Sequence, residues 1–373
     1  MAIRYAFIGC GMMGQEHIRN IQLLLSASVI AVFEPDKMMQ DAIKTLDSSI
    51  VFTSSVEELL KRSDIDAIVI ASPNHCHANQ LLTLLETTHL PVLVEKPIVT
   101  SVEDVQRIRD AVSQHPAPIW VAMEYRYMPP VAKLIDLVSG GNAGHVSQLS
   151  IREHRFPFLE KVGDWNRFNR NTGGTLVEKC CHFFDLMRLQ TQSEAIRVYA
   201  TGSQHTNHID ERYNGEQPDI LDNAYVLVDF ANGQRAMLEL CMFAEGSQYQ
   251  EEISVVGSEG KVEAFVPGPT RFWNQDLGEP PTPKVVISPR NPTGPEAIPI
   301  PVDPALLAAG DHNGSTFYQH QKFHQAITQG GLVEVTAEDG LKAVIIGLAA
   351  QQSIETGKTV EITDNGWSYY ESH

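Results

Sequence analysis

The sequence predicts an α/β protein in two parts. The first is a doubly wound parallel sheet, and the second is an α+β domain with a large, mainly antiparallel, open-faced sheet. Three observations carry that expectation. A Gly-x-Gly-x-x-Gly turn stands between a short apolar run and a helical pattern within residues 3–25. From there to about residue 122, apolar runs alternate with helical ones, as parallel strands and their crossover helices do. Beyond residue 140 strand-like runs follow one another directly, and Asn232-Gly233 is a two-residue hairpin turn between two of them.

Taken in order, Ile3–Ile8 is apolar and β-branched enough for a strand buried on both faces, and Ile18, Ile21, Gln22 and Leu25 recur at helical spacing behind it. Between them lies Gly9-Cys10-Gly11-Met12-Met13-Gly14. In a strand–turn–helix context this run is a dinucleotide fingerprint. Gly9 permits the tight turn, Gly11 lets the backbone approach a diphosphate, and Gly14 lets the helix pack closely on the strand. Met12 and Met13 open the helix whose unpaired N–H groups would face the phosphates. A second strand, Val29–Phe33, ends in Glu34, twenty positions past Gly14, where such folds place the carboxylate that binds the ribose 2′-OH. That carboxylate repels a 2′-phosphate and no Lys or Arg stands beside it before Lys37, so NAD is favoured over NADP.

Strands at 50–52, 67–70, 91–94 and 119–122, with helices at 38–44, 56–62, 79–86 and 102–112, complete a domain spanning residues 1–122. The remainder, 123–373, opens with a helix at 131–137. Strands follow at 145–153, 195–202, 224–230, 235–243, 251–257 and 261–265, with one helix, 175–189, across them. The stretch 267–304 holds more than half of all the prolines and reads as a long irregular excursion. Helices at 316–328 and 337–355 and a strand at 360–362 close the chain.

Composition narrows the function classes. A 43% hydrophobic, 20% charged chain is that of a soluble globular protein. A formal net charge of −18 argues against nucleic-acid and anionic-membrane partners, which need a basic surface. No run is long and apolar enough to span a bilayer, and Met1 leads almost directly into the first strand, leaving no room for a signal peptide. The five cysteines (Cys10, Cys76, Cys180, Cys181, Cys241) show no C-x-x-C spacing, which suits a reduced, cytoplasmic protein with no metal site.

Three further clusters carry chemistry. Ser72-Pro73-Asn74-His75-Cys76-His77 follows the 67–70 strand at its carboxyl end, where ligands of open α/β sheets gather, although a Pro-Asn turn opening a helix is also ordinary loop chemistry. Glu95-Lys96-Pro97 follows the 91–94 strand in the same way, and proline at 97 permits a cis bond that would swing Lys96 into the cleft. Gly173-Gly174-Thr175-Leu176-Val177-Glu178-Lys179-Cys180-Cys181-His182 puts Glu178 and His182 four apart on a helix. A histidine oriented by a carboxylate is a serviceable general base. Thr175-x-x-Glu178 is equally a capping box, and His182 equally a satisfied core histidine. Zinc on Cys180, Cys181 and His182 is disfavoured, because neighbouring residues on a helix diverge around its axis.

Together these motifs resemble, in order and spacing, the glucose–fructose oxidoreductase/inositol dehydrogenase/MocA family. The match rests on the fingerprint, Pro73-Asn74-x-x-His77, Glu95-Lys96-Pro97, Gly173-Gly174 with His182-x-x-Asp185, Arg126, and the late Thr336-Ala337-Glu338-Asp339-Gly340 helix start. The resemblance implies an N-terminal Rossmann domain, and an α/β domain for substrate and for oligomer contacts through its sheet, as a homodimer or homotetramer. It implies NAD(P)-dependent oxidation or reduction of a secondary hydroxyl on a sugar, cyclitol or other small polyhydroxy substrate. It further implies cofactor contacts from Gly9, Gly11, Met12, Met13, Gly14, Glu34, Ser72, Pro73, Asn74, His77, Glu95, Lys96, Pro97 and Arg126. Lys96 would touch the reacting hydroxyl and the nicotinamide, His182 would be the acid/base, and Arg126 and His154 would lie on the substrate side. Glu178 stands where the family usually has Asp, and Lys179-Cys180-Cys181 replaces a small, Gly-containing spacer. A non-catalytic NAD/sugar regulator, and a lyase or glycosidase that keeps its NAD bound, are the other readings.

Overall fold

The structure is a computed structural model and describes residues 2–369. The first sheet has six parallel strands: β1 (Ile3–Ile8), β2 (Ala27–Phe33), β3 (Val51–Thr53), β4 (Ala67–Ile70), β5 (Val92–Val94) and β6 (Ile119–Val121). Their order is β3-β2-β1-β4-β5-β6. Every residue of β4, β5 and β6 is buried, as strands covered by helices on both faces must be. The chain changes direction between β1 and β4, so a ligand crevice opens at the carboxyl ends of those two strands.

The second sheet has ten strands: β7 (Val146–His154), β8 (Ala195–Ser203), β9 (Asn223–Phe230), β10 (Arg235–Cys241), β11 (Glu251–Gly257), β12 (Gly260–Val266), β13 (Lys284–Pro289), β14 (Glu296–Pro299), β15 (Val360–Thr363) and β16 (Gly366–Tyr369). They run β14-β13-β12-β11-β7-β10-β9-β8-β15-β16, antiparallel throughout except for the β7–β10 pair. Along β7, Leu149, Ile151 and Glu153 are buried, facing the helix Cys181–Thr191, while the helix Ala337–Thr356 packs on β8. The opposite face is open. On it Tyr199, Leu227 and Met237 stand side by side in register, all exposed.

Two expectations change. The 267–304 stretch is not irregular throughout, because β13 pairs with β12 and β14 with β13, extending the sheet. Its prolines hid that pattern, yet Pro289 and Pro299 fall at strand ends, where proline is tolerated. The expected 175–189 helix is two helices, Thr175–Glu178 and Cys181–Thr191, interrupted at Lys179 and Cys180.

Late segments of the chain return to the first sheet. The helix Ser315–Gln329 packs on the helix Met12–Gln22, setting Phe323 against Trp120 with ring centroids 6.1 Å apart. The N–H of Val121 donates to the carbonyl of Val335 (3.1 Å). The crevice is therefore walled by both halves of the sequence. Among the described residues no helix is long and apolar enough to cross a membrane.

Candidate active site

The fingerprint turn behaves as its glycines require. Gly9 has φ +87°, and a Cβ there would lie 2.6 Å from Ser72 Cα, so the turn after β1 presses on the turn after β4. At Gly14 a Cβ would meet the Gly9 carbonyl at 2.8 Å, so only glycine lets the helix approach this closely. Gly11 instead faces open space. The helix it caps has no side-chain cap and no acidic residue in its first turn, which leaves the N–H groups of Met12 and Met13 available to an anion. Glu34 is buried at the end of β2, accepting the N–H of Cys10 (2.7 Å) and of Asp36 (2.9 Å). Each oxygen keeps a second lone pair for a ribose hydroxyl. Lys37, the nearest cation in sequence, is engaged by Asp41. Asn74, only 6% exposed, leaves its Nδ2 without a protein partner. Open space at Gly11, free helix N–H groups and an orphaned buried amide fit a dinucleotide.

Other expected cofactor contacts are held elsewhere. His77 is buried between the turns, Nδ1 2.8 Å from the Pro97 carbonyl and Nε2 2.9 Å from the Ser72 carbonyl, and donates its one ring N–H to one of them. Glu95 is buried against His17 (2.8 Å) and accepts the N–H of Lys96 (3.0 Å). His17 in turn meets His320 at 2.8 Å. Burial opposes a charge on His17, yet Glu95, Glu124 and Glu16 raise its pKa, while burial pushes His320 well below its ordinary range. His17 is thus the double donor and His320 the acceptor. Glu95 thereby fixes the backbone of Lys96. Ser72 donates its hydroxyl to Gln80 (2.6 Å). Pro73 opens the turn, and Pro97 follows a cis peptide after Lys96.

Lys96 reaches across from the first domain and donates Nζ to the carbonyl of Glu178 at 3.1 Å. Burial disfavours its ammonium, but Glu95, Glu178 and Glu124 outweigh that and raise its pKa. The geometry settles the capping question at Glu178. The cap of the short helix is Gly174, no side chain caps it, and the Thr175 hydroxyl donates to Leu221 (2.6 Å). Glu178 is 6% exposed with Oε2 unpartnered, and burial pushes its pKa up against the pull of Lys96 and Lys161. His182 is 2% exposed and lies flat on Tyr125, with rings 4.1 Å apart and 7° from parallel, and its Nδ1 has no partner. Burial first, then Lys96, Lys179 and His312, push its pKa well below the ordinary value. At neutral pH His182 is a neutral imidazole able to take a proton. Among the described residues no hydrogen bond links it to Glu178, so the expected orienting carboxylate is replaced by the Tyr125 ring.

Two expected substrate-side residues have protein partners. Arg126 grips Asp185 with two bonds (2.6 and 2.5 Å) and donates to the carbonyl of Glu334 (2.7 Å), so its fork is engaged within the protein. His154 pairs with Glu239 (3.0 Å) on the open face of the sheet. Its side chain lies on the face opposite that of Glu153, since successive side chains of a strand alternate faces. Glu153 points inward and holds Lys179 at 2.8 Å. Lys179 also contacts the Tyr125 hydroxyl, and burial lowers its pKa. Beside this pair Glu251 is pushed up to about 7 by burial and by Glu153.

Sequence reasoning missed Tyr125, Lys161 and His312. Tyr125 sits in the turn 124–127 with His182 against one side and His312 6.2 Å away. His312 binds Glu16 (2.8 Å), and although burial opposes it, Glu124 and Glu16 raise its pKa to about 9. The ligand-type atoms of Glu16, Glu124 and His312 lie within 4.8 Å, a spacing a metal could use, but the protonated imidazole already supplies the positive charge. Nothing local in sequence joins residues 16, 124 and 312. Cys180 and Cys181 are buried free thiols with raised pKa values.

Residues 3–123 match a family model described as the NAD-binding Rossmann fold of an oxidoreductase family, GFO_IDH_MocA, and residues 135–362 match that family's C-terminal alpha/beta domain. The uncharacterized oxidoreductase YrbE of Bacillus subtilis is 27% identical, with 95% of each chain covered. Myo-inositol 2-dehydrogenase of Thermotoga maritima is 22% identical over 97% of this chain and 99% of that one. The crystal structure of a myo-inositol dehydrogenase from Corynebacterium glutamicum superposes with a TM-score of 0.76 at 22% identity, covering 97% of this chain and 99% of the other.

Proposed function

We propose a reaction from the premise that this chain belongs to the GFO/IDH/MocA oxidoreductase family and is an NAD(P)-dependent oxidoreductase. The reaction is transfer of a hydride between NAD and a secondary hydroxyl carbon of a sugar, cyclitol or related polyhydroxy compound. One observation carries the reading. Lys96 from the first domain donates to the Glu178 carbonyl, four residues before His182 of the second, and is the strongest charge acting on that imidazole. The inositol dehydrogenases among the relatives support the substrate class.

When bound, the nicotinamide supplies the hydride acceptor. The protein does the rest. Lys96 directs its ammonium at the substrate oxygen and stabilises developing alkoxide charge. His182, neutral and stacked on Tyr125, takes the hydroxyl proton. Glu178 is buried with a free oxygen and accepts a neighbouring hydroxyl of the substrate, fixing which carbon faces the cofactor. Met12, Met13 and the open side of Gly11 receive the diphosphate, Asn74 offers its amide, and Glu34 takes the ribose hydroxyls and repels a 2′-phosphate, favouring NAD over NADP. The exposed row Tyr199, Leu227, Met237 on the open face supports a homodimer or homotetramer built through that sheet.

A panel of monosaccharides, cyclitols and sugar acids, followed at the NADH absorbance, tests the reading. NADH formation with a member of the panel is expected. A redox-neutral product from enzyme with bound NAD, or binding without turnover across the panel, would reject it.

A further inference from the structure

The segment linking β7 to the Thr175–Glu178 helix crosses the cofactor crevice and touches both of its walls. Lys161 places Nζ 4.0 Å from Sδ of Met12, the first residue of the fingerprint helix. Trp165 packs edge-on against His75 in the Pro73-Asn74 turn, with ring centroids 6.2 Å apart. Between these contacts Gly163 and Asp164 take left-handed φ values of 66° and 51°, bending the chain between Lys161 and Trp165.

Lys161 is partly buried, and among the described residues no carboxylate lies within ion-pairing distance of it. Glu178 and Glu95 raise its pKa from beyond ion-pairing distance, while Lys96 of the first domain and Arg155 of the second lower it. Burial is the largest influence and also lowers it. A largely desolvated ammonium without a counter-ion is costly to maintain unless an anion comes to it. The nearest structural feature that collects anions is the uncapped helix beginning at Met12, which has no acidic residue in its first turn and open space at Gly11. Asn74 adds an orphaned buried amide in the turn on which Trp165 rests.

We propose that Lys161 is a cofactor-binding residue contributed by the second domain, pairing with the diphosphate of the bound dinucleotide and strapping residues 155–167 over the crevice. The inference rests on the NAD-dependent reading above and adds a contact that the glycine-rich turn alone does not provide. It also makes cofactor release depend on lifting the strap, so dissociation is slow relative to an open Rossmann cleft.

The test is equilibrium titration of NADH, ADP-ribose and adenosine against wild type, Lys161→Met and Lys161→Arg, with a thermal melt of each. Loss of a charge-assisted contact weakens NADH and ADP-ribose by about ten- to hundredfold in Lys161→Met. Adenosine, which has no diphosphate, binds unchanged, and Lys161→Arg retains most of the affinity. NADH dissociation by stopped flow is faster in Lys161→Met, and its affinity loses salt dependence relative to wild type. Lys161→Gln, with a polar end, serves should Met disturb the strap. A well-folded Lys161→Met that binds NADH and ADP-ribose as wild type does would overturn the proposal while leaving the NAD reading intact. Equal weakening of adenosine would overturn it too, by showing a general loosening of the site. Wild type that binds no dinucleotide would overturn both.

Discussion

Arg126 and Asp185 give a sharp test, because sequence pattern sends the arginine to the substrate and the structure sends it to a buried carboxylate. Asp185 is fully buried and Arg126 is 10% exposed, so the pair sits where removing one partner costs about 3–5 kcal/mol. The two deletions are not equivalent. In Asp185→Ala the guanidinium stays charged, because arginine does not deprotonate in proteins, and the loss lies towards the upper end. In Arg126→Met the stranded Asp185 can take up a proton, which burial already favours, so the loss is smaller, plus about 1 kcal/mol for the bond to the Glu334 carbonyl. Arg126→Met/Asp185→Leu removes both charges and recovers most of the stability. Urea unfolding by fluorescence measures these differences, and NADH titration of folded Arg126→Met measures the cofactor site, which keeps its affinity. An Arg126→Met protein of wild-type stability with a large loss of NADH affinity or a large rise in KM would refute the structural assignment.

Other expectations follow from the same geometry. Glu178→Gln keeps its melting temperature, since Glu178 caps nothing, but loses turnover by at least an order of magnitude; a melting shift with normal rate would contradict this. Because the His182 pKa is depressed, the oxidation rate is flat through neutrality and falls only as pH drops well below 6.5, whereas a limb centred at or above 6.5 would count against the neutral imidazole. Glu251 has a folded pKa raised to about 7 from 4.5, so the stability it contributes is full below pH 4.5 and is lost as pH rises through 7. Glu251→Gln removes that decline, read as melting temperature against pH. Glu34→Ala narrows the preference for NAD over NADP, measured by titration, and equal affinities in the wild type would refute the role of the carboxylate. Light scattering gives a dimer or tetramer, which Leu227→Lys on the open face weakens.

Much of the architecture was legible because it is local. The period of β1 to β6 and the three fingerprint glycines each state their requirement within a few residues, and the structure meets them; Asn232-Gly233 does join β9 to β10, but in a three-residue loop closed by Phe230 and Gln234 rather than the expected two-residue turn. What was hidden is what depends on distance or on parity. The partner of Glu95 is His17 on another helix, and no sequence pattern distinguishes that buried carboxylate from one facing a cofactor. His154 and Glu153 differ by one step along β7, which reverses the face, so one makes an open-face ion pair with Glu239 and the other anchors Lys179 inside. The Thr175–Glu178 spacing satisfied a capping rule, but Gly174 took the cap and the Thr175 hydroxyl went to Leu221. β13 and β14 were masked by prolines that sit at their ends.

The central claim is that His182, held on Tyr125 beside Lys96, moves the hydroxyl proton during hydride transfer. The direct measurement is turnover of His182→Asn with saturating NAD and a substrate identified from the panel, alongside NADH affinity and melting temperature. The account predicts a fall in turnover of roughly two to four orders of magnitude with affinity and stability nearly intact. Wild-type turnover in a folded, NADH-binding His182→Asn enzyme would contradict it.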